Sequence, residues 1–352
     1  MTIPVVWSPE TRRHEPMREV WVGVPTEGTE VAARVDRILE ALPDQPLVDP
    51  TPHDDEVLHR VHDPAFVDHL RTVYAEWTEG PYDALVGQSR VVPYAFPTPA
   101  LSQGMPPTRA AATHGRAGEY CYDTMTLVGP GTWEAARAAV DCALTAVDLV
   151  AAGSDAAYAL CRPPGHHATR QGYGGSCYLN NAALAAQGLR DSGHGTVAVV
   201  DLDAHHGNGT QAIFWERPDV RYASLHVDPA AGWFPHWFGH ATETGAGDGS
   251  GHTRNLPLPE GAADDVWVDG VRALADWVSG ADALVVSLGV DAAAEDPESP
   301  LLVSADGYHA AGERLGELGL PTVIVQEGGY HLSSLGGLVA AYLAGHASGT
   351  RG

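Results

Sequence analysis

Residues 196–209 read TVAVVDLDAHHGNG. An apolar run rich in valine, Val197 to Val200, leads directly into Asp201, Asp203, His205, His206 and Asn208. A short apolar run bounded by turn residues is the pattern of a strand buried on both faces. Such strands belong to parallel sheets covered by helices on both sides. In open parallel sheets, ligands sit beyond the carboxyl ends of the strands. That is where this run puts its acids and imidazoles.

The pattern repeats outward from there. AAYALC (156–161), VRYASLHVD (220–228), DALVVSLGVD (282–291) and LPTVIVQEGG (320–329) read as further buried strands. Between and around them, TWEAARAAVDCALTAVDLVAAG (132–153), NNAALAAQGLRDSG (180–193), ADDVWVDGVRALADWVSG (263–280), SADGYHAAGERLGELG (304–319) and SSLGGLVAAYLAG (333–345) read as helices. The first is expected to start on Thr132 as its cap, with Glu134 nearby, and to stop at Gly153. This alternation predicts an α/β fold with a central parallel sheet and its site at the strands' carboxyl ends. No linker separates the strands, so residues 1–352 are expected to form one domain. The Pro-rich, weakly periodic stretch 76–115 is expected to be a functional loop or an assembly element.

With 44% hydrophobic residues in 352, the chain can bury a large core. Its formal charge of -25 repels phosphate backbones and anionic lipid, so neither nucleic acid nor membrane is an expected partner. Cys121, Cys142, Cys161 and Cys177 form no Cys-x-x-Cys pair and read as reduced thiols. No apolar run is long enough to span a bilayer, and the first residues carry no apolar signal segment. A cytoplasmic location is the expectation.

Chemistry gathers at the predicted strand ends. After 156–161 comes CRPPGHH, with adjacent His166 and His167 in an irregular loop where both can face one cavity. Asp203 and His205 follow the second strand, Asp291 the fourth and Tyr330 the last. Alone, an Asp-x-His pair is usually a hydrogen-bonded turn, and a Tyr after Gly-Gly is usually packing. Together they make a site. Asp203, His205 and Asp291 form a mixed nitrogen and oxygen donor set that suits Zn²⁺, with Fe²⁺, Co²⁺ or Mn²⁺ open. Three ligands leave room for water and substrate. His166 and His167 are then free for proton transfer, with Asp201 and Asn208 as partners that fix their tautomers. Tyr330 is placed to donate a hydrogen bond to a developing oxyanion.

These motifs together resemble the arginase/deacetylase superfamily on its zinc-dependent deacetylase branch. The segments PGTWEAA, CRPPGHHA, NNAA, HHGNGTQ, SLHVDP, FPH, SLGVDA and EGGY carry the likeness. Acetylpolyamine amidohydrolases are the nearest group within it. The resemblance implies a three-layer αβα fold. It implies zinc on Asp203, His205 and Asp291, and His167 as general base and then acid. His166 with Asp201 becomes an electrostatic partner, and Tyr330 polarises the amide carbonyl. Asn208 faces His167 where some relatives carry Asp, which should leave His167 neutral. Arg34 falls beside an internal channel. One structural K⁺ site would involve Asp201, Ser224 and Leu225, and a second the carbonyls of Phe214, Arg217 and Val220. The 76–115 segment resembles a loop through which relatives form homodimers and narrow their entrance.

The specificity shell departs from that pattern. Met125 and His114 stand where relatives place acids at the tunnel mouth, and Ser176, after Gly175, replaces a common aromatic. Phe234 remains as an opposite wall. Weak selection of cationic substrates is therefore expected, unless Glu119, Asp123 or Glu19 supplies the missing charge. The reading is zinc-dependent hydrolysis of a linear amide, an N-acetyl or N-acyl amine of small-molecule, acetylpolyamine type. Acetyl-lysine peptides or a secondary-metabolite amide are the alternative substrates. A zinc-holding acyl or acetate binder without turnover is the alternative of another class.

Overall fold

The computed structural model describes residues 2–82, 88–106 and 108–351. Ten strands are present among them: β1 (Val5–Val6), β2 (Arg18–Trp21), β3 (Val24–Glu27), β4 (Leu47–Val48), β5 (Ala156–Ala159), β6 (Val197–Asp201), β7 (Val220–Val227), β8 (Thr253–Leu258), β9 (Ala283–Leu288) and β10 (Thr322–Gln326). Eight form one sheet in the order β4-β1-β5-β10-β9-β6-β7-β8. Each neighbouring pair in it is parallel. β2 and β3 make a separate antiparallel hairpin.

The central strands are buried on both sides, as their unbroken apolar runs require. Alternate residues feed two cores. Val200, Val286 and Ile324 pack under helices Ala33–Ala41, Asp264–Val278, Ala305–Gly316 and Leu332–Gly349. Val199, Val285 and Val323 pack under helices Pro64–Glu79, Thr132–Ala151 and Asn181–Asp191. The result is the αβα arrangement expected from the alternation of strands and helices.

The five strands and five helices foreseen from 132 onward are all present, to within a few residues at their ends. One cap differs. Helix Thr132–Ala151 is capped by Gly131 at φ 76°, not by Thr132. Thr132 is drawn inward instead, where its Oγ1 accepts from Gly129 N at 2.9 Å and meets His14 Nδ1 at 3.0 Å. Within 76–115 the described residues include the last turn of helix Pro64–Glu79, a short helix Pro99–Ser102 and the start of helix Thr113–Tyr120. Val91 is fully buried and pairs with Val128. Residues 83–87 and 107 of that segment lie outside the described residues. All four cysteines are buried free thiols.

The four central strands are β5, β10, β9 and β6. Their carboxyl ends carry His166 and His167, Tyr330, Asp291, and Asp203 with His205, in that order. Residues up to 164 positions apart in the chain therefore meet over one stretch of sheet edge.

Candidate active site

Asp203, His205 and Asp291 offer ligand atoms that all lie within 4.8 Å of one another. His205 Nδ1 stands 3.2 Å from Asp203 Oδ1 and 2.9 Å from Asp291 Oδ2. One cationic imidazole proton between two carboxylates occupies the position a divalent cation would take, so the donor set fits a metal. Burial opposes ionisation of Asp203, but the neighbouring imidazoles hold its carboxyl well below the usual range. Burial and the Asp203 charge push Asp291 up to about 7. Gly328 closes over the pair. Its N donates to Asp203 Oδ2 at 2.8 Å, and an added Cβ would lie 2.6 Å from that oxygen and 2.7 Å from Asp291 Oδ2.

His166 and His167 follow β5 in an irregular loop, with ring centroids 4.0 Å apart. Both are nearly sealed from solvent. His166 Nδ1 pairs with Asp201 Oδ2 at 3.1 Å. Burial resists protonation of His166, yet the charges of Asp203 and Asp201 outweigh it and raise its pKa to about 10. A cation on Asp203 would cancel much of that effect. His167 behaves in the opposite way. Burial first, then the His166 and His205 charges, hold it well below its ordinary value. Its Nδ1 lies 2.7 Å from Asn208 Oδ1. An amide oxygen only accepts, so Nδ1 carries the proton and Nε2 keeps a free lone pair. Below the pair, Glu327 fixes the loop: Oε2 accepts from Gly165 N at 2.6 Å and from His166 N at 3.2 Å.

Tyr330 is held by its backbone. Its N donates to Asp296 Oδ2 at 2.6 Å. Arg34 Nε donates to Gly329 O at 2.7 Å, and the guanidinium lies 4.9 Å from the Tyr330 ring centre. Burial raises the phenol well above its usual pKa, so it stays a hydrogen-bond donor.

A cavity of about 70 Å³ is bordered by His167, His205 and Tyr330 at its base and by Glu19, Met125, Ser176 and Glu298 higher up. Phe234 forms one wall, edge-on to His167 at 4.8 Å and stacked with Tyr122 at 6.3 Å. Gly175 lies against both: a Cβ there would sit 2.4 Å from His167 Cδ2 and 2.8 Å from Phe234, and its φ is +56°. Asp123 Oδ2 accepts from Gly175 N at 2.6 Å, and Thr126 Oγ1 accepts from Ser176 N at 2.9 Å. Met125 and Phe234 are shared with a wider groove of about 600 Å³ that also meets Trp21, Phe96 and Trp237.

A model of the histone deacetylase domain matches residues 28–346. The chain belongs to this family. Within it, the chain is 39% identical to the acetylpolyamine amidohydrolase of Mycoplana ramosa, over 97% of this chain and 98% of that one. It is likewise 39% identical to acetylpolyamine amidohydrolase 1 of Pseudomonas aeruginosa, over 98% and 99%. A crystal structure of acetylpolyamine aminohydrolase from Burkholderia pseudomallei superposes with a TM-score of 0.92 at 37% identity, covering 99% of each chain. The histone deacetylase-like fold is thus common to all of them.

Not every residue singled out from the sequence reaches the cavity. His114 does not. It lies on helix Thr113–Tyr120 with its Nδ1 2.7 Å from Tyr82 Oη. Of the three substitute acids, Glu119 Oε1 accepts from Ala110 N and Asp123 is engaged in holding the 175–176 loop. Glu19 alone among them lines the cavity. Asp201 and Ser224 are register partners on β6 and β7, and Leu225 follows in the same buried strand. Phe214 ends helix Asn208–Phe214, Arg217 lies in the turn that follows, with its N donating to Phe214 O, and Val220 opens β7. Tyr122, Thr29 and Glu298 had no local signal: nothing in EDPESP (295–300) separates Glu298 from an ordinary polar loop.

Proposed function

We propose that this chain hydrolyses the amide of small N-acetylated amines of the acetylpolyamine type, with zinc on Asp203, His205 and Asp291. The observation that carries this reading is the pairing of a neutral His167 with the three-ligand cluster and Tyr330 around one cavity. A zinc ion held there would supply Lewis-acid polarisation of the carbonyl and a water whose pKa falls toward about 7.

The chain's own groups do the rest. His167 Nε2 takes the proton of the attacking water, and Asn208 steadies the imidazolium through Nδ1. The Tyr330 phenol donates to the oxyanion as the carbonyl carbon becomes tetrahedral. His167 then returns its proton to the departing nitrogen, which leaves as an amine too basic to expel unprotonated. His166, held by Asp201 through Nδ1, stays beneath as the electrostatic partner of His167.

Chelation should remove activity toward acetylated diamines, and zinc or cobalt should restore it, with about one metal per chain by elemental analysis. Full activity in metal-free protein would contradict the reading. Acetyl-lysine peptides serve as the competing substrate in the same assay.

The facing of Asp201 and Ser224 supports a K⁺ site beside the catalytic centre, and the Phe214–Val220 turn a second. The continuous sheet supports 1–352 acting as one domain. Exposed Tyr94, Leu101 and Met105 in the 76–115 segment support its use in a homodimer. No helix among the described residues is long and apolar enough to cross a membrane. That accords with the cytoplasmic location expected for such an enzyme.

A further inference from the structure

The loop that carries Phe234 ends in a buried polar cluster that the proposed chemistry does not use. His226, on β7, is fully buried. Its Nε2 stands 2.8 Å from Gly239 O and its Nδ1 2.8 Å from Ser224 Oγ. A carbonyl only accepts, so Nε2 carries the proton and Nδ1 takes one from the hydroxyl. Gly239 N donates in turn to Glu243 Oε2 at 2.9 Å. Both polar groups of Gly239 are therefore held. The same carboxylate oxygen accepts from Gln211 Nε2 at 2.7 Å. The Gln211 amide cannot turn over, because its Oε1 already accepts from Asn255 Nδ2 at 2.8 Å and faces His206 Nε2 at 2.9 Å. Gln211 shares the helix Asn208–Phe214 with Asn208, the partner of His167. The loop and the imidazole it faces are thus tied to one helix.

Without such a hold the loop has little to fix it. Trp237 and Phe238 are exposed. His236 has φ 65°, a left-handed backbone that a residue with a Cβ keeps only where its surroundings enforce it. Its internal bonds are local: His236 N donates to Trp233 O, and Trp237 N to Pro235 O. Gly239, at φ 103°, approaches so closely that an added Cβ would lie 2.5 Å from His226 Nε2. We propose that His226 and Glu243 are positioning residues for substrate binding: by clamping Gly239 from both sides they hold Phe234 against His167 and so set the width of the cavity. This rests on the amide hydrolysis proposed above. Neither residue borders the cavity, so each acts through the loop.

The test follows hydrogen exchange in the 233–243 segment of the zinc-loaded protein and, beside it, kcat and KM for N-acetyl-1,4-diaminobutane. Glu243→Ala should speed exchange in that segment about tenfold and leave the sheet unchanged. It should raise KM about tenfold and move kcat less than about twofold, because contact with the wall is lost while the reacting groups stay. Glu243→Gln keeps an acceptor oxygen at the same reach and should restore most of both. Glu243 is half-buried, so its variants should fold. Glu243→Asp, one methylene shorter, should repeat the pattern at smaller size. In a Phe234→Ala background, Glu243→Ala should change KM by less than about twofold. Exchange and KM unmoved by Glu243→Ala, or a KM effect of equal size in both backgrounds, overturns the clamp while leaving amide hydrolysis standing. Faster exchange in Glu243→Ala, with no amide hydrolysed even by the unmodified protein, would support the hold on the loop and overturn the hydrolysis.

Discussion

The base and the rim of the active-site cavity are built in different ways. The base comes from the carboxyl ends of β5, β10, β9 and β6, four adjacent strands in the middle of a sheet buried on both faces. The rim comes from the β2–β3 hairpin, the 123–126 turn, the 175–176 loop and the loops carrying Phe234 and Glu298. The segments just beyond those strand ends are tied down by buried hydrogen bonds to Glu327, Asp203, Asp296 and Arg34, so a side chain there has little freedom. Loops are set by a few local bonds, and they can change their side chains without disturbing the sheet. The difference implies that the base fixes the reaction and the rim fixes what is admitted to it.

The largest effects should follow from breaking the base. On the proposed mechanism His167→Ala removes both proton transfers and should lower kcat by about 10³ to 10⁴. Tyr330→Phe removes one oxyanion donor and should cost about 10² to 10³ in kcat with little change in KM. Single-turnover kinetics on a saturating acetylated amine check both. A comparable kcat in either variant would mean the base is not the reacting centre.

Gly175→Ala attacks the boundary between the two regions. Its Cβ would crowd His167 and Phe234 at once, and the backbone there is left-handed. A shift of the imidazole by a fraction of an ångström should lower kcat/KM by about 10². Activity close to that of the unmodified protein would show that the loop yields freely.

Asn208→Asp sharpens the comparison from within the base. A carboxylate at 208 would stabilise imidazolium, so the pKa of His167 should rise. The proposed reaction needs neutral His167, so activity should be lost at a higher pH on the acid side. The acidic limb of the kcat/KM profile should move up by about one pH unit. An unmoved limb would assign it to another group.

How legible each region was in the sequence follows from the same contrast. Asp203 and His205 announce themselves because they closely follow an apolar strand, and Asp291 and Tyr330 because they follow two more. Helix and strand periods locate these ends, and a parallel sheet requires the ends to share an edge. The sequence does not say which strands are neighbours; their central positions emerge only from the pairing. Glu298 was invisible because its place depends on how far its loop folds back toward the hairpin. His114, expected at the mouth from its chain position, packs against Tyr82 and Tyr94 and does not border this cavity. The N-terminal strands were missed because β1 and β4 are only two residues each, too short for any period.

The smallest effect concerns stability. The pKa of Glu19 is raised in the folded protein to about 8, from 4.5. Its favourable contribution is complete below 4.5 and is lost as pH rises through 8. Glu19→Gln should therefore leave Tm unchanged relative to the unmodified protein near pH 4.5, and raise it by a few degrees at pH 8.5. The check is the variant-minus-parent difference in thermal unfolding at each pH. A difference that is the same at both would show that Glu19 is not strained by its surroundings.

The division of labour itself is tested most directly by one set of rates. The kcat/KM values for N-acetyl-1,4-diaminobutane and for an acetyl-lysine peptide are measured for the zinc-loaded parent, Tyr330→Phe and Phe234→Ala. The account predicts that Tyr330→Phe lowers both values by the same large factor and leaves their ratio intact, while Phe234→Ala changes the ratio about tenfold. A ratio altered by Tyr330→Phe and untouched by Phe234→Ala would contradict it.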